Sequence, residues 1–261
     1  MFVYLDNSAT TKVAPEVVEI MAKTMTEDFG NPSSLHRMGL KAEKIMEHAR
    51  TILATAIGAS AEEIYFTSCG TESNATAIRP AWSSMRRRGG RVITTAVEHA
   101  SVLRNIEYIE AMGAEAVYLP VKSDCSLDMD AFREALSEDT VLVSVMHANN
   151  EVGTMMPIAE IARELRKVSK DAIFHTDAVQ SFTKVDCDVG VLGVDTMSLS
   201  GHKAKASKGV GALYMRKRLH FPAFLPGGNQ ESGFRSGTEN MPAIAGFGEA
   251  VRLAEESRTE R

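Results

Sequence analysis

The sequence predicts an α/β protein: a three-layer sandwich whose central sheet is mostly parallel and covered by helices on both faces. Two observations carry this reading. Short β-branched or aromatic runs alternate with longer amphipathic stretches along most of the 261 residues, and the runs are too short to be helices. Strands separated by helices return to one sheet in parallel, which leaves both faces of that sheet to be buried. In chain order the strands read as Ile64 to Thr67, Arg91 to Thr94, Ala116 to Leu119, Val141 to Val145 and Ala172 to His175. A further pair, Thr196 to Leu199 and Gly211 to Tyr214, is close enough in sequence to be antiparallel. Leu35 to Ile57 reads as a helix with Ser33 or Ser34 as its cap and Gly58 as its stop. Met129 to Leu136 is a second helix, and Ile158 to Val168 a third, with Pro157 in its first turn. Ala243 to Glu256 closes the chain as an amphipathic helix before Ser257 to Arg261. The expected division is a segment over 1–14 associated with a smaller domain, a large domain over 15–245, and the start of a truncated C-terminal domain over 246–261.

Composition narrows the function classes. With 44% hydrophobic and 24% charged residues the chain is ordinary globular protein. A net charge of −5 gives no global attraction to nucleic acid or to an anionic membrane. The basic run Arg86-Arg87-Arg88 stands before Gly89-Gly90 and reads as a solvated helix end. Three cysteines, Cys69, Cys125 and Cys187, form no close pairs and suggest neither a disulfide framework nor a zinc site. Neither a leader pattern nor an apolar stretch of about 20 residues is visible. A reduced, cytoplasmic protein without nucleic-acid or membrane partners is expected.

In a parallel sheet, ligands bind beyond the carboxyl ends of the strands, and there the sequence places its polar motifs. Ser68 to Asn74 follows the first strand and opens a helix. Gly70 permits close backbone approach, Thr71 offers a hydroxyl and the helix start offers free N–H groups to a phosphate; a turn with a cap is the alternative. Glu98-His99 follows the second strand, His99 being either a ligand-stacking or proton-moving imidazole or a packed structural one. Asn149-Asn150 follows another, for ligand hydrogen bonding or a turn. Asp177 follows a buried strand, where a carboxylate needs a cationic partner such as a protonated pyridine nitrogen or else caps the next helix. Gln180, three residues on, falls on the same side of a helical turn. Ser200-Gly201-His202-Lys203 follows the next strand: Lys203 is a candidate amine nucleophile if desolvated, a surface lysine otherwise, and Ser200 and His202 could donate to the same phosphate as Thr71. Singly these signals are modest. Jointly they comprise a phosphate cradle, a stacking imidazole, an acid for a ring nitrogen and a lysine for an aldehyde, which is what pyridoxal 5′-phosphate requires.

The sequence also resembles the cysteine desulfurases, the NifS/IscS group of fold-type I pyridoxal-phosphate enzymes. Tyr4 to Thr11, Phe29 to His36, Thr67 to Asn74, Glu98-His99, Asn149 to Thr154, Asp177 to Gln180, Ser200 to Lys203 and Arg235 to Asn240 carry the resemblance in order and spacing. It implies that Lys203 holds the cofactor aldehyde, Asp177 the pyridine nitrogen, and that His99 stacks on the ring. Gln180 would bond the ring hydroxyl, Asn150 the hydroxyl or the substrate. Gly70, Thr71, Ser200 and His202 would bind phosphate, and Thr238 would reach the phosphate of the other subunit of a homodimer. The implied reaction removes sulfur from L-cysteine, leaving L-alanine and an enzyme persulfide for a sulfur-acceptor or iron–sulfur scaffold protein. Two departures accompany the resemblance. Where the family has Gly-Pro-Lys-Gly after the lysine region, this chain reads Ala204-Lys205-Ala206-Ser207-Lys208-Gly209, which makes Lys205 a competitor for the aldehyde. The family's persulfide cysteine and a substrate-binding arginine belong to a C-terminal region beyond these residues, so little turnover is expected of residues 1–261 alone. A related lyase such as a selenocysteine lyase, an aminotransferase, or a non-catalytic dimeric remnant are the other readings.

Overall fold

The computed structural model describes residues 3–259; residues 1, 2, 260 and 261, at the outer ends of the two expected terminal segments, lie outside the described residues. Seven strands form one sheet in the order β1-β7-β6-β5-β4-β2-β3. They are β1 (Ile64–Thr67), β2 (Arg91–Thr95), β3 (Glu115–Leu119), β4 (Thr140–Ser144), β5 (Ile173–Asp177), β6 (Thr196–Ser200) and β7 (Gly211–Met215). The ladders from β3 through β6 are parallel. β7 pairs antiparallel with both β6 and β1, so β7 is reversed and β1 runs with the parallel set. Every residue of β4, β5, β6 and β7 is buried, as expected of strands covered on both faces.

The helices are α1 (Pro15–Thr26), α2 (Arg37–Ala56), α3 (Gly70–Met85), α4 (Ala100–Glu110), α5 (Met129–Ala135), α6 (Ile158–Val168), α7 (Val189–Leu192) and α8 (Met241–Thr259). One hydrophobic core takes in α2, α8 and the centre of the sheet, through Leu53, Phe66, Val143, Phe174, Leu199 and Phe247. A second lies under α3 and α4, through Ile78, Trp82, Val92, Ile106 and Leu142. α8 is a packed element: Ile244, Phe247 and Val251 are buried, and the Phe247 ring meets Phe182 edge-on at 6.2 Å.

Three local expectations are corrected. Helix α2 is capped by His36, whose Nδ1 accepts the Gly39 N–H at 3.3 Å, so Ser33 and Ser34 lie before the cap. Pro157 is the cap residue of α6 rather than part of its first turn. The chain from Ala178 to Lys184 makes successive turns rather than a regular helix. Gly58 follows α2 with a left-handed φ of 66°, the stop its position predicts.

Candidate active site

Because β1, β2, β4, β5 and β6 run in one direction, the residues after them meet at one edge of the sheet. They enclose a cavity of about 520 Å³. Its lining includes Gly70 and Thr71 at the start of α3, Ser200 at the end of β6 and His202 just beyond it. His99, Asn150, Asp177, Gln180 and Lys203 complete the set within the same cavity. Thr238 does not join them: it is exposed and stands outside the residues that line this space.

Asp177 ends β5 and is 6% exposed. Its Oδ1 accepts the Val179 N–H at 2.9 Å and its Oδ2 accepts Asn74 Nδ2 at 2.8 Å. Burial pushes this carboxyl upward, while the Asn74 and Val179 donors and the charges of His99 and Lys203 favour its ionised form. One oxygen thus closes a turn, with no regular helix following for it to cap, while the residue lines the cavity.

Lys203 sits in a short 3₁₀ turn after β6. Its Nζ donates to the carbonyls of Ser8 and of Ala9, the latter at 2.8 Å. Burial lowers its pKa, against the raising influence of Asp6 and Asp177. The N-terminal segment is laced to this turn. Gln180 Nε2 donates to Ser8 O at 2.9 Å, Thr10 Oγ1 meets His202 Nδ1 at 3.2 Å, and the Thr11 N–H donates to His202 O at 3.0 Å. Lys205 is exposed and outside the cavity, with φ at 62°. Its backbone N–H bonds Thr11 Oγ1 at 2.9 Å, and its carbonyl accepts from Ala14 at 3.0 Å. Of the two lysines, Lys203 lines the cavity and Lys205 does not.

His99 caps α4, and its Nδ1 lies 3.1 Å from the Ser101 N–H and 2.7 Å from Ser101 Oγ. Asn150 Nδ2 donates to Glu151 Oε1 at 2.7 Å. His202 is held toward neutrality by burial and by nearby Lys203. Two residues without a role in the sequence reading hold this arrangement. Asn74 connects Asp177, Ser101 and the fully buried His175, whose Nε2 is 3.0 Å from Asn74 Oδ1. The signal for both lay in periodicity: Asn74 is three residues beyond Thr71 on α3, and His175 shares a strand face with Asp177 two residues on.

The cavity suits pyridoxal 5′-phosphate. Ser200 Oγ is buried without a hydrogen-bond partner among the described residues, and a Cβ on Gly70 would come within 2.6 Å of Val179 Cγ2. These leave an anion both a spare hydroxyl and room at a helix start. A buried carboxylate with two neutral donors retains acceptor capacity for a ring cation. No group of three or more His, Cys, Asp or Glu able to hold a metal occurs among the described residues.

Fold and cavity together define a three-layer α/β protein of the pyridoxal-phosphate-binding class. The chain belongs to the class-V aminotransferase family, whose model matches residues 3–261. It is 46% identical to the cysteine desulfurase IscS of Dictyoglomus turgidum, covering 97% of this chain and 64% of that protein. It is 47% identical to the cysteine desulfurase IscS of Methanosarcina thermophila, covering 97% of this chain and 62% of that one. The chain thus spans somewhat under two thirds of these curated relatives. Among solved structures, a NifS-like protein superposes with a TM-score of 0.97 at 41% identity, over 100% of this chain and 71% of the other. SspA in complex with cysteine superposes with a TM-score of 0.92 at 38% identity, over 96% and 72%.

Proposed function

We propose that the protein is a cysteine desulfurase acting on L-cysteine as a cytoplasmic homodimer, with residues 15–245 as its cofactor-binding domain. The observation that carries this reading is the convergence of Asp177, His99 and Lys203 on one cavity. Pyridoxal phosphate, when bound, supplies an aldehyde that captures amines and a ring that accepts electrons from bonds broken at the substrate's α-carbon. Asp177 pairs with the ring nitrogen and keeps it protonated. His99 lies against the ring. Gly70, Thr71, Ser200 and His202 receive the phosphate, Gln180 the ring hydroxyl, and Asn150 the hydroxyl or the substrate. Lys203 would hold the aldehyde, and its partial burial favours the neutral amine that this needs. The net reaction moves one sulfur from cysteine to an acceptor thiol, giving a persulfide and alanine, with every atom accounted for. A sulfur-acceptor or iron–sulfur scaffold protein then takes the sulfur.

Reconstitution of the full-length protein with pyridoxal phosphate should produce a visible absorption band that changes on adding cysteine. Borohydride should fix cofactor mass on the peptide bearing Lys203, and cysteine should be converted to alanine with reducible sulfur. Label on Lys205, or an absorption band indifferent to cysteine, would count against the reading.

A further inference from the structure

Beneath the cavity runs a chain of buried polar groups whose donor and acceptor roles can be assigned from one another. His175 is fully buried, and its ring spans two partners: Nδ1 is 2.9 Å from Thr196 Oγ1 and Nε2 is 3.0 Å from Asn74 Oδ1. Asn74, also fully buried, sends its amide nitrogen to Asp177 Oδ2 and to Ser101 Oγ, each at 2.8 Å. Asp177 in its ionised form can only accept, so the NH₂ end of the amide must face it and the oxygen must face His175. His175 Nε2 must then carry the ring proton, and Nδ1 accepts from the Thr196 hydroxyl. Ser101 Oγ, taking a hydrogen from Asn74, has its own left for His99 Nδ1, 2.7 Å away. A neutral His99 accepting there bears its proton on Nε2.

From this we infer that Asn74, set in one amide orientation by Asp177 and held there by His175, is a positioning residue that aims both Asp177 and His99 at the bound ring. The inference rests on the pyridoxal-phosphate reading of the cavity. A flipped amide would present its oxygen to the carboxylate and set two acceptors against each other, with a buried N–H left facing the imidazole. Asp177 sets the orientation because an ionised carboxylate has no hydrogen to give, and His175 supports it by donating Nε2–H to the amide oxygen. The amide is thus the joint between the acid that meets the ring nitrogen and the imidazole that lies against the ring. Neither Asn74 nor His175 has to touch the reacting atoms for this.

The test uses a ligand pair that isolates Asp177. Pyridoxal 5′-phosphate and its 1-deaza analogue, in which carbon replaces the ring nitrogen, differ at the atom Asp177 would hold. Binding of both to the full-length protein is measured by titration, with folding followed by circular dichroism. Wild type should prefer the natural cofactor. Asn74→Ala should lose about tenfold or more of affinity for it while its affinity for the analogue changes little, so that the preference collapses. His175→Leu, which leaves the buried amide oxygen without its partner, should lower the preference as well. His175→Gln, which restores an N–H near the position of Nε2, should recover part of it and serves where Asn74→Ala folds poorly. Equal losses for both ligands would reduce Asn74 to a structural residue and overturn the inference, as would His175→Gln behaving like His175→Leu. If wild type bound neither compound, the cofactor reading would fail first, a result distinct from a lost preference.

Discussion

Glu98, next to His99, is fully buried: its Oε1 accepts from Thr95 Oγ1 and from the Met146 N–H, each at 2.8 Å, and its Oε2 has no partner among the described residues. Burial pushes its carboxyl up from 4.5 to about 8, with the Asp177 charge adding to the rise and the two donors opposing it. Between those values the folded protein keeps a proton that the unfolded chain has released, so stability falls as pH rises through the window and levels off above it. Glu98→Gln keeps the shape and the accepting oxygen but cannot ionise. Its melting temperature should exceed that of wild type by a margin that widens from about pH 5 to about pH 8; a constant margin would contradict the assignment. A second residue-scale prediction concerns Lys205, whose left-handed φ of 62° disfavours any side chain with a Cβ. Lys205→Gly should stabilise the protein by up to about 1 kcal/mol in urea unfolding and leave the cofactor label on Lys203. At this scale nine of the ten residues proposed from the sequence line the one cavity, Thr238 being the exception. The sequence assigned no role to Asn74, which stands inside a named motif, or to His175, because a side chain that bonds other protein groups is told from its neighbours only by face periodicity.

The segment carrying Thr238 depends on two ion pairs that join separate elements. Arg50 of α2 donates to Glu231 through Nη1 at 2.8 Å and Nη2 at 2.9 Å, while Glu231 Oε2 also accepts the Phe66 N–H of β1 at 2.8 Å. Arg235 reaches Glu72 in the first turn of α3 at 2.6 Å. Glu231 and Ser232 both have positive φ, 45° and 55°, so this turn is held in place by its partners against local preference. Glu231→Ala should cost roughly 3 kcal/mol, because it takes from a buried guanidinium its two-pronged partner and leaves it Glu47 and the Ile64 carbonyl, and should speed hydrogen exchange across 234–240; Glu231→Gln should cost less. A loss below about 1 kcal/mol for the alanine variant would mean that water reaches Arg50. All seven strands were legible from their β-branched runs to within two residues at either end. Helices α1 and α4 were not. α1 starts behind Ala14 with no side-chain cap, and α4 is capped by His99, a residue type that does not advertise a helix start. The placement of β1 beside β7 was equally hidden, since pairing across some 150 residues leaves no local signal.

At the scale of the whole molecule, Thr238 is fixed by this framework yet lies exposed and away from the cavity of its own chain. Large apolar side chains are also exposed on the stretch between α1 and the start of α2, among them Phe29 at 64% and Leu35 at 94%. An association of two copies that covers such side chains and brings Thr238 to the other copy's phosphate would account for both features. That arrangement is distinguishable from a self-contained site by mixing two variants. Lys203→Ala removes the amine, and Thr238→Glu sets a carboxylate against the phosphate, so each alone should bind cofactor poorly. If Thr238 serves the partner, a mixed dimer contains one ruined site and one intact one, the latter combining Lys203 from the Thr238→Glu chain with Thr238 from the Lys203→Ala chain. Random re-association of equal amounts should then recover about one quarter of the wild-type cofactor band, half the dimers being mixed and each holding one good site. If Thr238 acts within its own chain, each chain of the mixture remains defective and the band stays absent. Recovery that tracks dimer formation in sedimentation would place the site across two subunits, and its absence in a mixture shown to contain mixed dimers would confine the site to one chain.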